Sequence, residues 1–516
     1  MGQPSTQASN AVVYLSYGAF LVFGCYIAWR LRHQSKADYL SSNRTQTAVP
    51  LALNFIASAL GSGMLVAYPQ LATITGVQGV VVYAIASAAP LLIFAFLGPI
   101  IRKKCPEGFV LTEWTRQRYG VVTALYLSFV TLVTMFLYMV AELSALQQVM
   151  TALTGMTLGG FKISFITDNI QGAMVVGLII IATITVGVET KIDRSLIEKS
   201  KLTESSLLGW QLLYILPVAV TTNDFFLSNF WIRAFASKTD KDLLIGVSIA
   251  AVAVLIILTL VGTSGLVAAW SGAFDFTDPE QNGSIAFFLL LEQLPAWTVG
   301  IVLVMVVTLS TAAFDSLQSA MVSTASNDLF RNKLNIWWIR IAVVLIIFPV
   351  VVIALKAPSI LQIYLISDLV SASTIPVLIM GLNDRFYYWR GFEVVVGGLG
   401  GIFSVFIFGT IYFGSALEGA KLMLLEQGLY GNDWSAFGAF VAAPVGGLLW
   451  GFAALAMRLT YRYVEAKRKG TRFDALDRPA YLDRRVEGAS EYADVGETHS
   501  DPQAGLVTVD HKGKFF

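Results

Sequence analysis

A glycine-rich interruption of an apolar segment is the first feature with chemical meaning. Residues 49 to 73 are mostly apolar, and Gly61-Ser62-Gly63 divides them near the middle. If the segment lies in hydrocarbon, its broken backbone must be buried or line a cavity, because unpaired N–H and C=O groups find no water there. Half-helix ends and freed carbonyls bind solutes and ions at mid-membrane. Gly61, Ser62 and Gly63 are therefore predicted to belong to a substrate site, and close helix packing against the glycines is the alternative.

A second feature is an acid inside another apolar segment. Asp315 lies within residues 297 to 325, one helical turn after Thr311 and close to Ser310. An aspartate at mid-membrane costs about 2.5 to 3.5 kcal/mol, so it should face a cavity, a partner or an ion. Ser310, Thr311 and Asp315 are predicted to bind a cation, either Na⁺ or H⁺. A protonated Asp315, or one bonded to a neighbouring helix, is the alternative.

Further polar groups interrupt other apolar segments. Asn223 and Asp224 are predicted to contact a substrate, although polar residues at such depth also join helices. Glu142 and Asp368 are isolated acids, for which pairing with a basic residue such as Arg340 is the simpler interpretation.

The composition places all these residues in a membrane protein. Of 516 residues, 56% are hydrophobic and 13% are charged, which is too apolar for a soluble chain of this size. The net charge of +1 gives no basis for a nucleic-acid partner, and two cysteines do not support a disulfide framework. The three histidines lie outside the apolar segments, and no nucleotide or metalloprotease motif is present. Neither an enzyme activity nor a cofactor is expected, and membrane lipid is the expected surrounding.

The apolar segments predict an all-α polytopic protein with about twelve spans, each of roughly twenty residues. They lie at 12–29, 49–73, 78–101, 121–150, 170–188, 206–232, 243–269, 297–325, 336–355, 359–382, 391–412 and 435–457. Basic clusters after the first and third spans place those loops in the cytoplasm. We therefore expect an extracellular N-terminus at 1–11, a transmembrane domain at 12–457 and a disordered cytoplasmic tail at 458–516.

The later loops obey the same charge rule only if one further crossing lies between about 150 and 168. Residues 151 to 167 are too short and too rich in glycine to form it. The charge pattern therefore indicates that a helix is missing at this place.

Four motifs stand out along the chain: Gly159-Gly160-Phe161-Lys162, Thr167 to Gly172, Trp231 to Lys238, and Ser323 to Phe330. They resemble motifs of the sodium:solute symporter family, and residues 105 to 120 are closest to its fungal and plant urea and polyamine transporters. The resemblance extends from about residue 35 to about residue 460.

The resemblance implies a LeuT-like bundle with two inverted repeats. In that family sodium lies between carbonyls of the broken helix, here those of Ala57 and Leu60, and hydroxyls of a later helix. The alignment puts Ala312 and Ala313 where those hydroxyls are usual, so Asp315 is expected to replace them. The family's fifth helix falls between 150 and 168, where about twenty residues would be absent, through an error in the gene model or through evolved loss.

The resemblance also implies a plasma-membrane symporter that couples Na⁺ or H⁺ to the uptake of a small polar solute, urea or a polyamine. A sensor or inactive relative that keeps the scaffold is the alternative, and channel-like facilitation is a third possibility. The sequence gives no indication of an oligomeric state.

Overall fold

The chain folds into a bundle of α-helices in the computed structural model. The structure describes residues 6–30, 44–105, 110–154, 168–273, 283–331, 335–356, 359–426, 428–429, 433–478 and 515. The first nine helices are α1 Thr6–Arg30, α2 Ala48–Ala59, α3 Met64–Ala88, α4 Leu91–Lys104, α5 Leu111–Tyr119, α6 Val121–Thr154, α7 Asp168–Glu189, α8 Arg194–Ser200 and α9 Leu207–Phe226. The others are α10 Ser228–Ala236, α11 Asp240–Trp270, α12 Ala286–Glu292, α13 Ala296–Asp328, α14 Ile336–Ala354, α15 Ile360–Ile379, α16 Gly391–Phe413, α17 Ala416–Met423 and α18 Ser435–Lys469.

Seven stretches of helix within the described residues are long and apolar enough to cross a membrane, and an eighth is gained if α7 and α8 count as one bent span. This number is lower than the twelve spans predicted from the sequence, because several spans are broken or short in the structure. Residues Met64 to Lys104, for example, pass the test as one stretch although they contain the predicted span at 78–101 and the second part of the predicted span at 49–73.

The predicted break at residues 61 to 63 is confirmed. Helix α2 ends at Ala59, Leu60 adopts an extended conformation, and α3 begins at Met64. A further kink follows at Gly76, whose φ of 65° is a left-handed conformation that suits glycine. A Cβ at this position would lie 1.9 Å from the Leu202 carbonyl oxygen. The two predicted spans at 49–73 and 78–101 therefore separate at Gly76.

A second broken helix lies beside the first. Helix α9 contains Thr222, Asn223 and Asp224 in its last turns, and the chain leaves the helical conformation at Leu227 before α10 begins. The interruption therefore follows the polar triplet that suggested it. The Trp231 indole donates a hydrogen bond to the Phe225 carbonyl oxygen across this break.

The C-terminal boundary differs from the expected one at residue 457, because α18 continues to Lys469. Arg458 is buried and donates to Glu393 of α16 at 2.5 Å, with both side chains fully shielded from solvent. The residue that seemed to begin a polar tail thus joins two helices. Of residues 479 to 516, the structure describes Phe515, whose carbonyl oxygen accepts from the Phe392 N–H. The expected missing helix involves residues 155 to 167, which lie outside the described residues.

Candidate functional site

A cavity of about 130 Å³ lies against the break between α2 and α3. Both broken helices contribute to it, together with α6, α11, α13 and α15. Three acids and four tyrosines are prominent among its lining residues: Glu142, Asp224, Asp368, Tyr68, Tyr83, Tyr138 and Tyr364. Each acid is at most 8% exposed, so its charge needs a partner inside the protein or in a bound molecule.

Helices α6 and α15 meet at the cavity through two reciprocal pairs. Each helix carries a tyrosine and an acid one turn apart, Tyr138 with Glu142 and Tyr364 with Asp368. The Tyr364 hydroxyl lies 3.1 Å from Glu142 Oε1, and the Tyr138 side chain interacts with the Asp368 carboxyl. The rings of Tyr138 and Tyr364 lie 4.8 Å apart. This arrangement fixes one carboxylate at each end of a paired aromatic wall.

Glu142 holds the broken backbone. Its Oε2 accepts hydrogen bonds from the Ser62 N–H at 2.7 Å, the Ser62 hydroxyl at 2.9 Å and the Gly63 N–H at 3.4 Å. These N–H groups precede the first turn of α3, where unpaired donors and the helix dipole favour an anion. The backbone N–H groups of Ser62 and Gly63 at the break therefore bond to a side chain from another helix.

The other two acids have fewer partners. Asp368 Oδ1 is buried without a hydrogen-bond partner among the described residues. Neither Asp224 nor Asp368 forms an ion pair with a described basic side chain. None of the described residues that line the cavity is basic. The expected pairing of Glu142 or Asp368 with a basic residue such as Arg340 stays a prediction, because the side chain of Arg340 lies outside the described part. The cavity thus offers negative charge and suits a cation.

A second pair of aromatic rings lines the cavity. Tyr68 and Tyr83, both on α3, stack with ring centroids 3.8 Å apart, and the Tyr68 hydroxyl donates to Ser87 at 2.5 Å. Aromatic faces attract ammonium groups and pack against methylene chains. The cavity therefore combines the groups that recognise an alkyl amine.

The predicted substrate residues all lie at or beside this cavity. Gly61 and Asp224 line it, while Ser62 and Gly63 lie behind Glu142. Asn223 donates to the Tyr138 hydroxyl and contacts Ser367, so it supports the wall. The four tyrosines of the cavity are not among the site residues predicted from the sequence. The spacing of Tyr138 to Glu142 and of Tyr364 to Asp368 was the signal that could have found two of them.

The predicted cation residues are buried but do not line the cavity. Ala57 and Leu60 belong to the broken span, while Ser310, Thr311 and Asp315 belong to α13. Thr311 donates to the carbonyl oxygen of Val307 in its own helix.

A different residue of α13 meets the broken helix. Ser58 of α2 lies 3.3 Å from the Ser316 hydroxyl, which also accepts from Arg233 at 3.0 Å. Arg233 donates to the carbonyl oxygens of Asn54 and Asn229 as well. A fixed positive charge therefore lies at the junction of α2, α10 and α13.

Comparison with known sequences found one strong similarity. The chain is 51% identical over 522 residues to the spermidine transporter DUR31 of Candida albicans, covering 97% of this chain and 99% of that protein. No family model matches the chain.

Comparison with solved structures supports the predicted fold. A Na⁺-coupled sialic acid symporter in its substrate-bound, outward-open state superposes with a TM-score of 0.64 at 16% identity, over 87% of this chain and 97% of that one. The nucleobase-cation-symport-1 transporter Mhp1 in its closed conformation gives 0.50 at 12% identity, over 88% and 99%. At such low identity these similarities concern the fold alone. The expected all-helical, LeuT-like architecture is confirmed.

Proposed function

Because the chain belongs to the same family as the spermidine transporter DUR31 of Candida albicans, we propose that this integral membrane transporter carries polyamines, with spermidine as the first candidate. The cavity at the helix break is the proposed binding site. Membership of the sodium:solute symporter family, a plasma-membrane location, an extracellular N-terminus and a cytoplasmic C-terminus are parts of the same proposal.

The observation that supports a polyamine is the charge of the cavity. Glu142, Asp224 and Asp368 line it, and no described lining residue is basic. Polyamines carry several ammonium groups at neutral pH, separated by methylene segments. Their ammonium groups would neutralise buried carboxylates, and their methylenes would lie against the tyrosines. Urea, the other expected solute, is uncharged and would leave these carboxylates without a counter-charge.

Transport is proposed to be driven by a cation gradient, with the proton preferred to sodium. A sodium ion needs several oxygen ligands, whereas Ala313 presents a methyl group to the cavity and Ser58 and Ser316 already bond to each other. The Arg233 guanidinium, which donates to Ser316, would also repel a sodium ion at this place. Asp315, 3% exposed within α13, is the proposed proton carrier.

Uptake of radiolabelled spermidine into yeast cells that lack their own polyamine uptake tests the function. The wild type should accumulate the label, while Asp224→Asn and Asp368→Asn should each reduce uptake about 30-fold or more, because each removes a charge that faces the substrate ammonium. Glu189→Gln is the control, since Glu189 is an exposed acid at the end of α7 and remote from the cavity.

Surface amounts must be measured for every variant by a fluorescent tag. If the wild type reaches the surface and takes up no spermidine, the proposed function is wrong. If both asparagine variants take up spermidine like the wild type, the cavity is not the substrate site.

A further inference from the structure

We infer that Glu142 is a built-in anion that makes the site select amines without a carboxylate over amino acids. This inference rests on the proposed polyamine function and goes on to name the residue that sets the substrate class. The selectivity concerns pairs of molecules that differ by one carboxylate, such as putrescine and L-ornithine.

The contacts of Glu142 show that its carboxylate already occupies the anion position of the break. The N–H groups of Ser62 and Gly63, the Ser62 hydroxyl and the Tyr364 hydroxyl all surround it at hydrogen-bond distance. An ionised carboxylate suits this set of donors. In a transporter with a broken span, the exposed N-terminal end of a half-helix can instead receive an anionic group of the substrate.

The glycines of the break are explained by the same contact. A Cβ on Gly61 would lie 2.1 Å from Glu142 Oε1. A Cβ on Gly63 would lie 2.0 Å from the Tyr364 hydroxyl, which bonds to Glu142 Oε1, and 3.1 Å from that oxygen itself. At positions 61 and 63, only glycine leaves room for the carboxylate and the Tyr364 hydroxyl that bonds to it. The Gly61-Ser62-Gly63 sequence thus leaves room for a carboxylate at the break, and Glu142 of the protein itself fills that position.

A substrate carboxylate would have to enter beside Glu142 and the two remaining acids. The donors of the break already bond to Glu142, so a second anion would be repelled by like charges without gaining hydrogen bonds from those donors. An ammonium group, by contrast, would be attracted by the same acids. Asp224 lines the cavity, and Asp368 Oδ1 is buried without a hydrogen-bond partner among the described residues.

Competition against labelled spermidine tests the wild-type part of the inference. Unlabelled putrescine and L-ornithine methyl ester should compete, whereas L-ornithine should compete about 100-fold less well. The ester masks only the carboxylate, so the comparison of ester with acid separates the effect of that group from the effect of size. Competition by ornithine as strong as that by its ester would overturn the inference.

Variants of Glu142 test whether this residue is responsible. In Glu142→Ala the donors of the break become available, so the ornithine-to-ester ratio of competition should rise about tenfold or more. Glu142→Asp keeps the charge and should keep the wild-type ratio. Glu142→Gln retains an acceptor for the Ser62 N–H, so it should fold even if the alanine variant does not. It should raise the ratio by a smaller factor.

The outcomes separate this inference from the proposed function. If the wild type takes up no polyamine, the proposed function fails. If the wild type takes up spermidine but the alanine and glutamine variants that reach the surface keep its ornithine-to-ester ratio, only the role of Glu142 fails. Glu189→Gln again controls for the loss of one negative charge elsewhere.

Discussion

The three acids of the cavity have different roles, although they are all carboxylates in apolar helices. Glu142 is surrounded by donors from the broken backbone, and Asp368 is held by one tyrosine hydroxyl and keeps one oxygen without a hydrogen-bond partner in the described structure. Asp224 faces the cavity from the end of α9. The partners of each carboxylate, rather than its type, determine whether it supports the protein or is left to bind the proposed substrate.

Tyr138 is predicted to position Asp368. Its hydroxyl accepts from Asn223, and its side chain interacts with the Asp368 carboxyl. The interaction of a hydroxyl with a charged group contributes up to about 3 kcal/mol, so Tyr138→Phe should raise the half-saturation concentration for spermidine by about tenfold. The dependence of uptake rate on spermidine concentration measures this.

Tyr126→Phe is the matched control for Tyr138→Phe. The Tyr126 hydroxyl bonds to Thr374 and does not line the cavity. An unchanged half-saturation concentration in Tyr138→Phe would show that Asp368 needs no positioning by this hydroxyl.

At the scale of elements, two broken helices form the site. The span of α2 and α3 is interrupted at residues 60 to 63, and the span of α9 and α10 is interrupted at Leu227. Each break leaves backbone groups that need partners in a membrane. Glu142 supplies them at the first break and the Trp231 indole supplies one at the second.

Gly61→Ala is predicted to disrupt the first break. Its Cβ would overlap the Glu142 carboxylate, and relieving such a clash in a packed interior costs about 1 to 3 kcal/mol. Spermidine uptake should therefore fall about tenfold or more per molecule at the surface. Gly300→Ala is the control, because a Cβ at Gly300 of α13 would meet no atom within 4 Å. Normal uptake by Gly61→Ala would mean that Glu142 can leave the break without consequence.

At the scale of the whole molecule, the bundle places one acidic cavity where both broken spans meet α6 and α15. In LeuT-like transporters, alternating access is motion of one part of the bundle against the other around such a central site. A cation that crosses with the substrate would provide the energy, since one charge crossing 100 mV releases about 2.3 kcal/mol.

Accumulation of spermidine is predicted to require a proton gradient and to survive the replacement of Na⁺ by choline. A protonophore should reduce the final internal concentration of spermidine to the external concentration. Asp315→Asn should show the same lack of accumulation without the protonophore. Parallel uptake series with and without Na⁺ and protonophore measure both effects. Loss of accumulation on removal of Na⁺ would contradict the proton and favour a sodium site.

The sequence alone determined the class of fold and the place of the first break. Apolar segments of membrane-spanning length require helices, and Gly61-Ser62-Gly63 is a local signal that needs no distant partner. The same reasoning found the buried acids one at a time. It could not foresee that α18 would continue past residue 457, because the pairing of Arg458 with Glu393 joins residues 65 positions apart.

Only the tertiary structure decided which polar groups share a site. Glu142 and Ser62 are 80 residues apart in the chain, and Tyr364 is 222 residues from Glu142, so no local pattern connects them. Packing of α6 and α15 against the break brought Glu142 and Asp368 into one cavity, while Asp315 does not line it. Helical periodicity gives the face of each residue on its own helix, but the direction in which that face points is set by the packing of the whole bundle.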